Sequence, residues 1–390
     1  MKGIADREVR GIVKHFAKLP DPRSHVNRLH RLTDVIVISV CGVLAGADGP
    51  DAIAVWAKAR EEWLKKYLEL PHGIPSHDTI GRVLEALKPM AFQQCFAAWL
   101  ESLQETAVSA EPAESDVEQR HIAIDGKTLR RSHDRRAGLG PLHLVSAWAT
   151  RHGISLGQLA TEEKSNEITA IPQLLEHLNL EQAVVTIDAA GCQKNIAEKI
   201  VAGGGDYVLA LKGNQEKLHE AVQDIFAAQL ENDFADVSVS FHEEQETSHG
   251  RQDRRMYYQL SVPQKLPGRE AWKKLKTIGM AVRTTQVGDR ETCDVRYYIS
   301  SLRRSAKPFA QAVRNHWSIE NTLHWSLDMT FREDESRVRG RHVADNLAWL
   351  RRITLTLLKQ HPGKQSLVMK RRLSGWSIDF MMQVLTGKIP

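Results

Sequence analysis

Three acidic side chains stand where they could do chemistry together. Asp125 closes the apolar run His121-Ile-Ala-Ile-Asp125, and Asp188 closes Val184-Val-Thr-Ile-Asp188. Glu320 lies inside the basic, aromatic stretch His316-Trp-Ser-Ile-Glu-Asn321. Taken singly, a strand-terminal aspartate is more often a turn or cap residue, and a helical glutamate is usually solvated. The ordered set, with basic residues beside each member, reverses those odds. Two divalent cations about 3.5–4 Å apart can activate the attacking oxygen and stabilise the leaving oxygen of a phosphodiester. Mg²⁺ demands hard oxygen ligands and keeps several waters, so a few carboxylates and the substrate phosphate suffice. Gly126 and Gly191, just after the two aspartates, are expected to let backbone and phosphate approach closely.

The neighbours point to a polyanion. Lys127, Arg130 and Arg131 follow the first aspartate, and with Arg135 and Arg136 they form a basic loop suited to phosphate contacts. Lys212 lies just beyond the strand that follows the second. His316, Glu320 and His324 fall at i, i+4 and i+8, so one helical face is expected to carry all three, with Ile319, Leu323 and Leu327 as the adjacent apolar stripe. Trp317 and Trp325 flank that face, and an indole can stack on an unpaired base; a Trp beside a helix is more often core. Asn321, next to the glutamate, and His249 and Arg251, in a later turn, complete the candidate DNA contacts. His-x₃-Glu-x₃-His is not the His-Glu-x-x-His zinc pattern, and no further ligand stands out.

Residues 1–104 read as a helical N-terminal unit, with apolar positions at helical spacing and prolines 20, 22, 50 and 71 as punctuation. Pro75-Ser-His-Asp78 starts a helix with Ser76 or Asp78 as N-cap, an ordinary core helix before a helix-turn-helix. Residues 105–118, rich in Ala, Glu and Ser, form a linker. From 119 the rhythm changes. Three short strands form a meander, then helix and strand alternate, which gives a mixed α/β sheet. Strand patterns from about 235 to 302 form an inserted β region, helices resume from Lys307 to about Met329 and from His342 to Lys359, and 361–390 is a basic tail.

With 390 residues the chain has room for two or three domains. The net charge of +5 is uneven: from Ser301 onward 16 Lys/Arg face 7 Asp/Glu, a net of +9, leaving −4 for the first 300 residues. Such asymmetry suits a polyanion-binding C-terminal part. The four cysteines are scattered, with neither disulfide nor zinc spacing, and fit a reducing cytoplasm. No signal peptide is expected, and the most apolar run, Val35–Ala47, is too short to span a bilayer.

These residues resemble the H-repeat-associated (ISAs-type) insertion-sequence transposases of the DDE superfamily. The resemblance rests on Ile124-Asp-Gly-Lys-Thr-Leu-Arg-Arg131, Glu163-Lys-Ser-Asn-Glu-Ile-Thr-Ala-Ile171, Thr186-Ile-Asp-Ala-Ala-Gly-Cys-Gln-Lys194 and Gly205-Asp-Tyr-Val-Leu-Ala-Leu-Lys-Gly-Asn-Gln215. His249-Gly-Arg251 and Arg314 through Asp328 continue it. The segment from His15 to about Pro89, with Leu19-Pro-Asp-Pro-Arg23, looks like that family's accessory domain. The resemblance therefore runs along nearly the whole chain, in order.

It implies an RNase H-like mixed-sheet core over 119–360, carrying the β insertion, with Asp125, Asp188 and Glu320 as metal-binding triad. It also implies Mg²⁺, or Mn²⁺ in its place, hydrolysis of double-stranded DNA at the terminal inverted repeats, and joining of the freed 3′-hydroxyl to target DNA. Pairing two ends implies a homodimer in the active complex. The location would be the bacterial cytoplasm, on the nucleoid when DNA-bound. Broader relatives carry Tyr-x₂-Arg-x₃-Glu-x₆-Lys around the glutamate. Here those positions hold Val313, His316, Glu320 and Leu327, so His316 is the expected substitute for the arginine. Two alternatives stay open: a domesticated DNA nuclease that cuts without joining, and a DNA-binding repressor that has lost catalysis.

Overall fold

The computed structural model describes residues 12–24, 26, 28–107, 119–134, 138–151, 153–161, 166–248 and 250–387. Most of the expected linker, Arg135, Arg136 and His249 lie outside them.

One sheet of nine strands runs through the molecule. The strands are β1 (Arg120–Thr128), β2 (His143–Ala149), β3 (Ile154–Thr161), β4 (Ala183–Ile187), β5 (Asp206–Leu211), β6 (Ser240–Ser248), β7 (Arg251–Ser261), β8 (Thr277–Val287) and β9 (Arg290–Ser300). Their spatial order is β3-β2-β1-β4-β5-β9-β8-β7-β6. The first three form an antiparallel meander, and β1, β4 and β5 lie parallel. This is the mixed sheet expected of an RNase H-like core. The insertion is no separate layer: β9 pairs antiparallel with β5, so β6–β9 continue the same sheet outward.

Side chains alternate across a strand, so the sheet has two chemically distinct faces. Ile122 and Ile124 of β1, Val185 and Ile187 of β4 and Leu209 of β5 enter one core beneath helices Glu167–Glu176 (α6), Lys194–Ala202 (α7) and Glu216–Glu231 (α8). Ala123 and Trp148 face the other way, into a second core that holds Ile319, Leu323, Leu327 and Phe331. The first two come from the turn after α9 (Ala306–Ser318), the last two from α10 (Trp325–Phe331).

That second core also takes in the N-terminal helices α1 (Leu32–Leu44), α2 (Pro50–Ala59), α3 (Glu61–Leu64), α4 (His77–Ala86) and α5 (Pro89–Ala107). The element common to both parts is α11 (Arg341–Gln360), whose residues 344–358 are all buried. Its Asn346 donates to the carbonyls of Leu84 (2.7 Å) and Leu87 (3.0 Å), satisfying the end of α4. Helix α4 is capped by Ser76, which accepts from Thr79 N, and it packs as a core helix through Ile80, Val83 and Leu84.

The basic tail is folded. It forms α12 (Leu367–Trp376) and α13 (Ile378–Thr386), and two of the three consecutive cations 370–372 point inward while Arg372 stays exposed. Lys370 and Arg371 are buried. Lys370 donates to the carbonyls of Leu358 and His361, and Arg371 to those of Val43, Ala47 and Thr330. These cations cap helix ends rather than wait for phosphate.

Candidate active site

The parallel pairing of β1 with β4 ends at Ile124↔Ile187. Asp125 and Asp188 are the next residue on each strand, so they sit side by side on strands about 4.8 Å apart. Asp125 does not end its strand, as the apolar pattern suggested. Strand β1 runs on to Thr128 against β2, with Asp125 opposite Ser146, because only the β4 side of the pairing stops there. Both aspartates belong to the alternation of Ala123 and Thr186, so they face α9–α11. The Asp188 carboxylate is oriented by its own loop, accepting from Ala190 N (3.0 Å) and Gly191 N (3.3 Å).

Glu320 reaches the pair from an unexpected conformation. The expected continuous helix is α-helical only to Ser318; Ile319–His324 form a π-helical turn before α10 resumes. A π turn is rare and frequent at functional sites. Here it keeps Ile319 and Leu323 in the core while Glu320 and Asn321 stay exposed.

The electrostatics of Asp125 record what surrounds it. Burial pushes its carboxyl up to about 7, and Asp188, Glu320 and Glu167 add to the rise, against a hydrogen bond from Gly126. Four carboxylates therefore share one neighbourhood. A hard divalent cation relieves that kind of repulsion, so the donor set fits in kind. Among the described residues, however, no three His, Cys, Asp or Glu side chains stand close enough to hold an ion.

Both histidines turn out to be supports. Burial holds His316 down at about 4 although Asp188 pulls it up, and its Nδ1 meets Thr186 Oγ1 at 3.2 Å. His324 is held at about 3 by burial, with Arg352 and Lys127 adding to the effect. Its Nδ1 lies 3.6 Å from Asp125 Oδ2, and its Nε2 is buried without a partner. At neutral pH each is an uncharged imidazole packed under an aspartate. His316, expected in the arginine's place as a phosphate contact, is packed against Thr186 and brings no positive charge, which fits the expectation that Lys or Arg elsewhere supplies it.

The other candidate contacts divide. Lys127 is buried and spent on an internal cluster with Asp328, Glu333 and Asp334, which corrects its reading as a phosphate contact. Arg130 is exposed and pairs with Asp334 at 3.2 Å; Arg131 and Lys212 are exposed. Arg251 is exposed and pairs with Asp253. The ring of Trp317 already carries two guanidinium groups, Arg296 at 4.5 Å and Arg283 at 5.3 Å from its centroid, which corrects the picture of an open stacking face.

Sequence reasoning missed two supports of the site. Glu167, at the start of α6, accepts from His143 Nε2 at 2.6 Å, and His143 Nδ1 meets Thr128 Oγ1 at 2.8 Å. This buried pair fills the space beneath Gly126, where a Cβ would meet Glu167 Oε1 and His143 Nε2. The glycine makes room for protein, not for substrate. Gly191 is similar: a Cβ there would strike Ile187 and come within 3.0 Å of Ile171. The second support follows β5, where Asn214 donates to Ala189 O and Gln215 to Cys192 O, clamping the loop after Asp188. Glu167, Asn214 and Gln215 fall inside the segments quoted for the family resemblance and His143 outside them, and nothing in their residue types announced buried roles.

Comparison with known proteins identifies the family. Residues 117–357 match the family model described as "Transposase DDE domain", and residues 13–100 match the "DDE_Tnp_1-associated" model. Among relatives, the chain is 37% identical over 386 residues to the "H repeat-associated putative transposase YhhI" of Escherichia coli K12, covering 97% of this chain and 99% of that one. It is 39% identical over 355 residues to the "Putative transposase YncI" of Escherichia coli O157:H7, covering 90% and 88%.

Proposed function

Because the chain belongs to the DDE-domain transposases, we propose that it acts on the ends of its own insertion element. It binds terminal-repeat DNA, hydrolyses a phosphodiester there and transfers the freed 3′-hydroxyl into target DNA. The observation that carries this reading is the register of β1 and β4. It sets Asp125 beside Asp188 on the face that the Glu320 turn covers. Asp125, Asp188 and Glu320 are the residues that would hold Mg²⁺ or Mn²⁺. The bound ions would supply Lewis-acid stabilisation of the attacking and leaving oxygens. The protein's own contribution is orientation. Asp188 is fixed by two backbone N–H groups, Asp125 by β2, and both are backed by neutral histidines that add no competing cation.

In the assay, purified protein meets a duplex carrying the element's terminal repeat, a target plasmid and Mg²⁺. Nicking at the repeat end with joined product is expected from the wild type. Asp188→Asn is expected to lower both steps by roughly 10²–10³-fold, as removal of a key charge-stabilising group does, while retaining DNA binding. Cutting without joined product would favour the nuclease. Binding with neither step, unchanged by the substitution, would sink the transposase reading.

A further inference from the structure

The insertion sheet carries an organised set of cations beside Glu320. Cross-strand pairing puts Glu244 of β6, Arg255 of β7, Arg283 of β8 and Asp294 of β9 in one row on one face. The row beside it brings Arg296 opposite Ala281. Helix α9 crosses above and contributes Arg314 and Trp317. The arginines, Asp294 and Trp317, without Glu244, line a cavity of about 390 Å³ that reaches Ser318 and Asn321 on either side of Glu320. Its volume falls within the range of built ligand sites.

The arginines are aligned from behind. Asp253, nearly buried, pairs with Arg251, Arg255 and Arg283 and accepts from Thr285. Burial alone would raise its carboxyl; hydrogen bonds from Arg283 and Thr285 hold it well below the usual range. Arg283 and Arg296 lie over the Trp317 ring. Arg296 pairs with Asp294 of β9 at 2.8 Å, and the partners of Arg314, with a second partner of Arg255, come from the edge strand and are different in kind. Glu244 and Glu246 of β6 pair with Arg314 at 2.9 and 3.4 Å, and Glu246 with Arg255 at 3.0 Å. They are partly or half exposed, so water and salt screen these pairs.

We propose that this arginine-lined cleft binds backbone phosphates of the DNA being processed, and that Glu244 and Glu246 occupy Arg314 and Arg255 until DNA displaces them. The inference rests on the DNA-processing function proposed above. Phosphate is the class of ligand because five guanidinium groups converge, and their forked donors match its oxygens. Stacking of an unpaired base is disfavoured because the indole face is already covered. The edge strand acts as a built-in competitor. DNA that engages Arg314 must break two carboxylate contacts, so weakly held DNA is rejected first.

The test measures binding of full-length protein to a fluorescent terminal-repeat duplex by anisotropy, from 50 to 300 mM salt without divalent cation. Glu244→Gln/Glu246→Gln is expected to bind roughly three- to tenfold tighter, and misfolding does not yield tighter binding. Glu243→Gln is the control. It removes one such charge from the same strand, against two in the double variant, but Glu243 sits on the opposite face and pairs with Arg254, so the affinity should stay at the wild-type value. Arg314→Gln should bind about tenfold weaker, with a salt slope shallower by about 1. A logarithmic gain from Glu243→Gln half that of the double variant, the share of one charge out of two, would reduce the effect to net charge and overturn the competitor. An unchanged Arg314→Gln would overturn the cleft as a phosphate site. Wild-type protein that binds no DNA at any salt would instead remove the DNA-processing reading beneath both.

Discussion

At the residue scale, the site depends on side chains that are absent. Gly191 lies over Ile187 and Ile171, and any Cβ must displace them. Gly191→Ala should cost about 1–3 kcal/mol, the usual penalty of overpacking, read as a lower urea midpoint. Gly213→Ala, whose Cβ would meet nothing within 4 Å, should leave the midpoint unchanged. Equal effects would refute the packing account. The acidic residues themselves were legible, because a carboxylate closing an apolar run is visible in a string of letters. Their supports were not. Glu167 and His143 read as ordinary polar residues until the fold buries them together, and Lys127 reads as a free cation until Asp328 and Glu333 reach it.

At the element scale, β4 was readable to its last residue because it is buried on both faces and forms a continuous apolar run. Strands β6–β9 were seen only in part. Their outer halves alternate charge against charge, so no apolar period marks them. The π turn was invisible for a different reason: its letters fit an α-helix equally well, and packing decides between the two. Helix α11 is fastened to β1 and β3 by buried ionic groups of opposite pH behaviour. Glu333 pairs with Arg352 at 2.9 Å, both fully buried, and with Lys127. Burial would raise its carboxyl, but Arg352 and Lys127 hold it down at about 2. Its stabilisation is present above the unfolded value near 4.5 and is lost as pH falls toward 2. Glu333→Gln should cost about 3–5 kcal/mol at pH 7, since it strands a buried guanidinium; a loss below ~1 kcal/mol in denaturant titration would contradict this.

Asp345 on the same helix has the reverse sign. Burial raises it to about 6 against a hydrogen bond from Gln158. Its stability contribution is present below the unfolded value near 3.8 and is lost as pH rises through 6. Asp345→Asn should therefore flatten the stability profile between pH 4 and 6 and raise stability at pH 7. A profile with unchanged slope would refute that assignment.

At the scale of the whole molecule, α11 joins the N-terminal helices and the sheet in one hydrophobic cluster. Unfolding should therefore appear as one calorimetric transition. Trp349→Ala, at a buried position on α11, should lower it by the equivalent of about 3–5 kcal/mol without splitting it. Two resolved transitions would mean that the helical part and the sheet unfold separately. The charge asymmetry of the sequence pointed to the C-terminal region as a polyanion contact, but Lys370 and Arg371 went inward. The organised cations on the sheet came instead from the insertion, where acidic partners hid them from any count of net charge.

A nine-stranded sheet has two open margins, and each is a template on which a second chain could polymerise. Strand β3 is shielded by a helix: Gln93 of α5 accepts from Gln158 N at 2.9 Å, occupying a backbone donor that would otherwise recruit a neighbour. Strand β6 ends the sheet on the other side, and no strand among the described residues pairs with its free edge. Its Glu243, Glu244 and Glu246 make it self-repelling toward another copy of itself. Neutralising two of those charges would then carry a second cost, a protein slower to stay dispersed at high concentration, visible as rising light scatter on storage. Solubility and restraint toward DNA would be secured by the same short run of glutamates.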